Sequence, residues 1–139
     1  MGFVTRAHRH LWGKNNEDPL VFLFKNGLSN EFCKNIYLGW NKFGQDRPLE
    51  SWGLSAPDQD RFHLPAGIVI PHIENQCLTG VLIVSMAGSL SFWLPGSHPL
   101  PMELGHVNAH SPETTDAMAG LKLFQDHPEG PGVRIWTTP

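Results

Sequence analysis

The sequence predicts an α+β domain in which short helices pack on a small antiparallel or mixed sheet. Residues 67–73 and 78–85 are two aliphatic and β-branched runs around the polar break 74–76, a pattern typical of an antiparallel hairpin. A third apolar run of strand length occupies residues 89–94. Because three strands with one shared apolar face are about the minimum for independent stability, these runs form the predicted core.

The N-terminal residues predict an arm followed by a short helix. Residues 1–16 are polar and weakly patterned, which favours a flexible arm, either frayed or a short helix. Asp18-Pro19 has the composition of a helix start with Asp18 as the N-cap. Gly27 fits the left-handed position that follows a helix, and Leu28 is expected to pack back against it.

A second short helix is predicted over residues 30–37. Ser29 is its N-cap, and Phe32, Cys33 and Ile36 share one face of the helix. That face is expected to cover the sheet.

The rest of the chain alternates loops with two short elements. Residues 41–61 are predicted as loop, residues 116–124 as a helix and residues 133–136 as one more strand. We therefore expect three parts: a flexible arm (1–16), an α+β domain (17–105) and a C-terminal extension (106–139).

The composition indicates one domain with a real core. The chain has 139 residues, 40% of them apolar, and a net charge of −3. It has no run of 18 apolar residues and no apolar segment near Met1, so we expect no membrane contact, no secretion and a cytoplasmic location. Cys33 and Cys77 lie in apolar stretches, which favours two buried free thiols over a disulfide.

Basic residues are concentrated in the first half of the chain. Eight of the ten Lys and Arg lie in residues 1–61, against seven acids, and none lies between Phe62 and Leu121. The central sheet therefore offers no side-chain cation to a phosphate. Such contacts would come from Arg6, Arg9, Lys14, Lys25, Lys34, Lys42, Arg47 and Arg61.

No pattern in the sequence favours a catalytic or metal site. His106 and His110 have helical spacing, but the Ser-Pro pair that follows favours exposed loop histidines. Glu74 and Glu103 are too separated for a paired-carboxylate hydrolase. Ser97 lacks the strand-to-helix context of a nucleophile elbow. We expect no catalytic residue, no metal and no cofactor.

Aromatic residues are interleaved with basic ones in the first half of the chain. They could form a platform that stacks bases and neutralises phosphates. Alternatively, Trp40 and Trp52 are core anchors, and this interpretation is favoured. The residues concerned are Trp12, Lys14, Trp40, Lys42, Phe43, Arg47, Trp52, Arg61 and Phe62.

Segments in order between residues 21 and 105 carry a resemblance to a known family. They are KNGLS at 25–29 followed by EF at 31–32, YLGWN at 37–41, WGL at 52–54, LPAGIVIP at 64–71, and FWLPGS at 92–97 with MELG at 102–105. They resemble bacterial and phage DNA primases, in the part of the RNA-polymerase core between the zinc ribbon and the Toprim domain. The resemblance implies a primase-core fold and a role in DNA replication.

The sequence departs from that family where the family's chemistry is carried. No cysteine set for a zinc ribbon precedes residue 21, and no Asp-x-Asp pair for catalytic metals follows Gly105. Residues 80–86 lack the arginines that the family has there. We therefore expect a primase-like accessory or template-binding piece that is not catalytic alone. The alternative is a non-catalytic scaffold or interaction domain from a shortened primase-like gene.

The resemblance and the charge pattern together predict the partners. We expect weak binding of single-stranded DNA and a separate Toprim or helicase partner. The residues expected to bind nucleic acid are Lys25, Lys42, Arg47, Arg61, Trp40 and Trp52.

Overall fold

The computed structural model describes residues 2–48, 61–74, 76–86, 91–94, 97 and 101–137. Within them the helices are α1 (Gly2–Leu11), α2 (Glu17–Lys25), α3 (Asn30–Asn35) and α4 (Ala117–Asp126). The strands are β1 (Gly39–Asn41), β2 (Gln45–Pro48), β3 (Arg61–Leu64), β4 (Gly67–Glu74), β5 (Cys77–Val84), β6 (Ser91–Trp93), β7 (Met102–Leu104), β8 (Glu113–Thr114) and β9 (Val133–Ile135). None of the described helices is long and apolar enough to cross a membrane. The chain has the predicted α+β architecture.

The largest sheet has four antiparallel strands in the order β1-β4-β5-β6. The predicted hairpin is confirmed as β4 and β5, and the predicted third strand is confirmed as β6, which pairs with β5 through Ile83 and Phe92. A register shift between His72 and Ile73 marks an irregularity near the hairpin end. This sheet is the centre of the fold.

The two faces of the sheet bury different side chains because alternate strand residues point to opposite sides. Ile68 and Ile70 of β4 belong to one core cluster, together with Leu82 of β5. Val69 and Ile83 belong to a second cluster. The first cluster also takes in buried residues from α2, α3 and α4, whereas the second takes in Phe3, Val4 and Ala7 of α1.

Helix α2 begins one residue before the predicted cap. Its N-cap is Asn16, and Asp18 lies in the first turn, so the prediction of Asp18 as N-cap was wrong. Pro19 is tolerated there because amide groups of the first turn have no partner within the helix. The predicted end is confirmed: Gly27 has φ +80°, and the buried Leu28 donates its N–H to the Leu23 carbonyl at 3.0 Å.

Helix α3 begins as predicted and ends two residues early. The Ser29 hydroxyl accepts the Phe32 N–H at 3.1 Å. Cys33 is fully buried, and Phe32 and Ile36 are half-buried against the same cluster. The helix therefore covers the sheet with the predicted face, and Tyr37 lies outside it.

The N-terminal residues form a packed helix rather than a flexible arm. In α1 the buried side chains are Phe3, Val4, Ala7 and Leu11, whose spacing of three and four residues gives one apolar face. The helix contacts β1 and β4. Of the two alternatives for this segment, the structure has the helix.

The close approach of α1 to β1 depends on a glycine. A Cβ on Gly39 would lie 2.6 Å from the Ala7 carbonyl carbon and 2.7 Å from the His8 nitrogen. We expect Gly39→Ala to lower the free energy of unfolding by about 1–3 kcal/mol, because the helix backbone must move. Gly130→Ala is the matched control, since its Cβ would meet atoms no closer than 3.5 Å. Urea unfolding measures both, and equal stabilities of the two variants would contradict this packing.

Part of the predicted loop at 41–61 is strand. β2 pairs antiparallel with β3 in a separate two-stranded sheet, so the loop prediction was wrong at both of its ends. Residues 49–60 lie outside the described part of the chain.

The C-terminal residues build a third sheet and complete the first core cluster. The strand order is β7-β9-β8, antiparallel and then parallel. The predicted helix is confirmed as α4, with the Asp116 carboxylate accepting the Ala119 N–H at 3.0 Å, and the predicted last strand is confirmed as β9. Leu121 and Ile135 are fully buried in the cluster that also contains Leu23. The segment expected as an extension thus packs on the main domain.

The two thiols lie in opposite environments. Cys33 is buried, as predicted, but Cys77 is exposed, so the prediction was wrong for this thiol. Cys77 is the first residue of β5, and the apolar run of this strand lies after it. Burial raises the pKa of the Cys33 thiol to about 11. At pH 8 we expect one thiol to react rapidly with an aromatic disulfide reagent and the second to react only on unfolding. Two thiols reacting at one rate in the native protein would contradict this arrangement.

Candidate nucleic-acid interface

A pocket of about 270 Å³ lies between the C-terminal end of α1 and the residues that end β1. This volume is near the lower end of the range of about 300–1,000 Å³ for small-molecule pockets. The pocket therefore suits a small group, such as one monomer of a polymer, rather than a large ligand. The residues that line it, here called the α1–β1 pocket, are Arg9, His10, Gly13, Lys14, Asn15, Trp40, Lys42 and Phe43.

The α1–β1 pocket is positively charged although the whole chain is acidic. Arg9, Lys14 and Lys42 are permanent cations, and His10 adds a titratable group. None of the described lining residues is acidic. All three cationic side chains are exposed, so they can reach an anion from opposite sides of the pocket. The local charge therefore opposes the net charge of −3.

The aromatic lining residues have different roles. Trp40 is only 6% exposed and belongs to the core, as the favoured interpretation predicted. Phe43 is 71% exposed, so it offers the free ring surface that a base could stack on. The Lys42 ammonium nitrogen lies 5.7 Å from the Trp40 ring centre and 5.4 Å from that of Phe43, within cation–π range of both.

The Trp40 indole adds an unpaired donor to this region. Its Nε1 atom is buried and has no hydrogen-bond partner among the described residues. A buried N–H without a partner is costly. The region therefore contains one donor whose hydrogen-bonding capacity the described residues do not use.

The local structure explains why these residues meet. β1 pairs with β4 so that Trp40 lies opposite Ile68, and this pairing fixes Trp40 in the core. The strand ends at Asn41, whose amide donates to the Pro65 carbonyl at 2.8 Å. Lys42 and Phe43 follow the strand and are exposed. On the other side, α1 ends at Leu11 and the loop after it carries Lys14.

The structure brings together only some of the predicted binding residues. Lys42 and Trp40 line the same pocket. Lys25 is exposed in the last turn of α2 and is not among the lining residues. Arg47 lies on β2 opposite Phe62, and Arg61 on β3 opposite Pro48, on the hairpin that begins two residues after Phe43. Trp52 lies outside the described residues.

Sequence reasoning missed the contribution of α1. Arg9 and Lys14 were counted among the cations that could contact a phosphate, and Lys14 also among the residues of the possible stacking platform. Neither they nor His10 were assigned to the binding site, because their segment was interpreted as a flexible arm, either frayed or a short helix. The signal was present in the apolar spacing of Val4, Ala7 and Leu11. A helix with that face must present its remaining residues to solvent near the sheet.

Other candidates from the sequence have structural partners or lie in loops. Thr79 Oγ1 lies 3.1 Å from Nδ1 of the buried His72. The Ser97 hydroxyl accepts the Val81 N–H at 3.1 Å and so completes the bonding of β5. His106 and His110 are exposed in a loop. Among the described residues, no three His, Cys, Asp or Glu side chains are grouped so as to hold a metal ion.

Comparison with known proteins shows a likeness in fold. No protein-family model matches the chain, and no curated protein sequence matches it. The solved structure of the DnaG catalytic core superimposes with a TM-score of 0.66 at 12% sequence identity. The fold is primase-like. The match covers 95% of this chain and 51% of that core, so the chain spans about half the length of its structural neighbour.

The primase-like fold bears out the fold that the sequence segments implied. At 12% identity the likeness extends to the fold alone. What the chain binds must therefore be argued from its own side chains, and the α1–β1 pocket is where those side chains converge.

Proposed function

We propose that this chain is the template-binding part of a primase-like protein, holding single-stranded DNA in the α1–β1 pocket and not catalytic alone. The observation that carries the proposal is the convergence of Arg9, Lys14 and Lys42 with the exposed ring of Phe43. Single-strand sites combine cations for the phosphates with aromatic rings for the bases. The pocket has both.

The proposal sets the expected strength of binding. Each phosphate neutralised on a single strand contributes roughly 0.7 to the slope of log K against log salt. Three permanent cations thus give a slope of about −2. With so few contacts, we expect a dissociation constant on the order of 10⁻⁴ M, as for non-specific binding.

A substitution of Phe43 distinguishes base stacking from charge attraction. We expect Phe43→Ala to weaken oligo-dT binding by roughly tenfold, because one stacked base contributes about 1–3 kcal/mol, and to leave the salt slope unchanged. Fluorescence anisotropy of a labelled 12-mer measures both quantities. Lys122→Ala is the control, since Lys122 pairs with Asp126 on α4. Unchanged affinity in Phe43→Ala, or equal affinity for duplex and single strand, would contradict the proposal.

A second candidate is a non-catalytic scaffold or interaction domain. Val21 is 49% and Phe24 80% exposed, three residues apart on α2, which is the spacing of side chains on one helix face. Exposed apolar groups of this kind suit a protein partner, such as a separate Toprim or helicase component. If oligo-dT binding shows no salt dependence, this candidate replaces the first.

A further inference from the structure

A histidine of helix α1 contacts the residues immediately before β1. The His8 Nδ1 atom lies 2.9 Å from the Leu38 carbonyl oxygen, 30 residues away in sequence. Because a carbonyl oxygen only accepts, Nδ1 carries the proton and donates. The His8 ring also stacks on Tyr37, with ring centres 3.8 Å apart and planes at 8°. We call His8, Tyr37 and Leu38 the clasp.

Tyr37 occupies a position that normally favours glycine. Its φ is +63°, a left-handed conformation that is costly for a residue with a Cβ. Its N–H donates to Lys34 at 3.1 Å, and that of Leu38 donates to Cys33 at 3.0 Å, which is the same helix ending that Gly27 makes after α2. The backbone would accept glycine more easily, so the tyrosine ring has a use that offsets its strain.

The two ends of the clasp lead directly into the two walls of the α1–β1 pocket. His8 is followed by Arg9 and His10, which line one wall. Leu38 is two residues before Trp40, which begins the other wall. Between them, Gly39 permits backbone contact with α1. The clasp thus sets how far the α1 cations lie from Lys42.

A neighbouring contact ties the same end of α1 to α3. The His8 and Trp12 rings meet edge to face, with centres 6.4 Å apart. The Lys34 ammonium lies 5.0 Å from the centre of the Trp12 ring. Lys34 precedes Tyr37 by three residues, so this contact supports the clasp from the other side.

We infer that His8 and Tyr37 are positioning residues for the α1–β1 pocket. They hold its two walls at a separation at which the cations of both walls contact the same DNA strand, and in this way they set the affinity of the pocket. The inference rests on the proposed function. Both residues act through others, because neither lines the α1–β1 pocket.

The strained tyrosine makes a sharp test possible. Tyr37→Gly relieves the backbone strain but removes a ring that stacks on His8 and packs against the second core cluster. The two effects on stability oppose each other, so the free energy of unfolding in urea should change by about 1 kcal/mol or less. The affinity of this variant for oligo-dT should nevertheless fall about fivefold, a coupling typical of connected residues. If the affinity of Tyr37→Gly is unchanged, or falls only as far as a loss of stability explains, the inference is overturned.

Two His8 variants separate the stack from the hydrogen bond. His8→Phe keeps a ring over Tyr37 but cannot donate to Leu38, and His8→Asn keeps a donor but loses the ring. We expect each to lose part of the affinity, about twofold to threefold, and less than His8→Ala. In a Lys14→Ala background the loss caused by His8→Ala should shrink, because one α1 cation it positions is gone. Full additivity would overturn the inference.

Amide hydrogen exchange tests the clasp without any ligand. In His8→Ala we expect faster exchange in β1 and the last turn of α1, with the centre of β5 unchanged. Uniformly faster exchange would mean general destabilisation and would overturn the inference. If the unchanged protein fails to bind oligo-dT, the proposed function fails, and the exchange pattern still decides whether the clasp holds α1 on β1.

Discussion

The variant Arg9→Ala/Lys14→Ala/Lys42→Ala is expected to lose nearly all affinity for single-stranded DNA. These three cations are the permanent charges of the α1–β1 pocket. At roughly 0.7 per phosphate, their removal takes the salt slope from about −2 to near zero. At low salt the affinity should fall by up to roughly a hundredfold, because each exposed charge contact contributes up to about 1 kcal/mol. Anisotropy titrations at several salt concentrations measure the change.

The controls distinguish this pocket from general charge. All three side chains are exposed, so circular dichroism and urea unfolding should be nearly unchanged. Lys122→Ala removes a cation from α4, where it pairs with Asp126 at 2.9 Å, and should leave binding intact. If Lys122→Ala and the triple variant lose affinity to a similar degree, binding is not located at the α1–β1 pocket.

The largest loss of stability is expected from Leu82→Ala. Leu82 is fully buried in the centre of β5, opposite Ile70 on β4 and Trp93 on β6. Removing three buried carbons leaves a cavity in a strand paired on both sides, so the free energy of unfolding should fall by about 2–5 kcal/mol. Val21→Ala, at a position 49% exposed, should change it by about 0.5 kcal/mol or less. Similar losses in both variants, measured by urea unfolding, would contradict the assignment of the core.

The core of the fold could be predicted because its signals are local. The β4–β5 hairpin follows from two apolar runs around a polar break, and helix ends follow from Ser29, Asp116 and Gly27, each of which has a conformational preference of its own. The order β4-β5-β6 also follows from sequence order, because these consecutive strands pair, whereas the pairings of β1 with β4 and of β7 with β9 do not. These features need no knowledge of distant residues.

The features that were missed depend on distant contacts. Tyr37 ends α3 with a positive φ although nothing in its own chemistry favours this. The stacked His8 lies 29 positions earlier. Helix α1 was obscured because its apolar face is narrow and most of its other residues are Arg or His. β2 and β3 were missed because both strands are short and neither contains a hydrophobic run.

Only half of the candidate site was predicted, because the other half also depends on contacts between distant residues. Lys42 and Trp40 belong to one short segment, so their proximity could be inferred. Arg9 and Lys14 join them only because α1 packs on β1 through Gly39. Lys25 was included on charge alone, and charge does not say which face of the molecule a side chain occupies.

Chemical-shift mapping of the isotope-labelled protein with oligo-dT tests the central claim most directly. We expect the largest amide shifts at residues 9–15 and 40–43, together with a shift of the Trp40 indole N–H, whose nitrogen has no hydrogen-bond partner among the described residues. The shifts should vanish as salt is raised. Shifts confined to α2 and α4, or no shifts at millimolar oligonucleotide and low salt, would contradict the assignment of single-stranded DNA to the α1–β1 pocket.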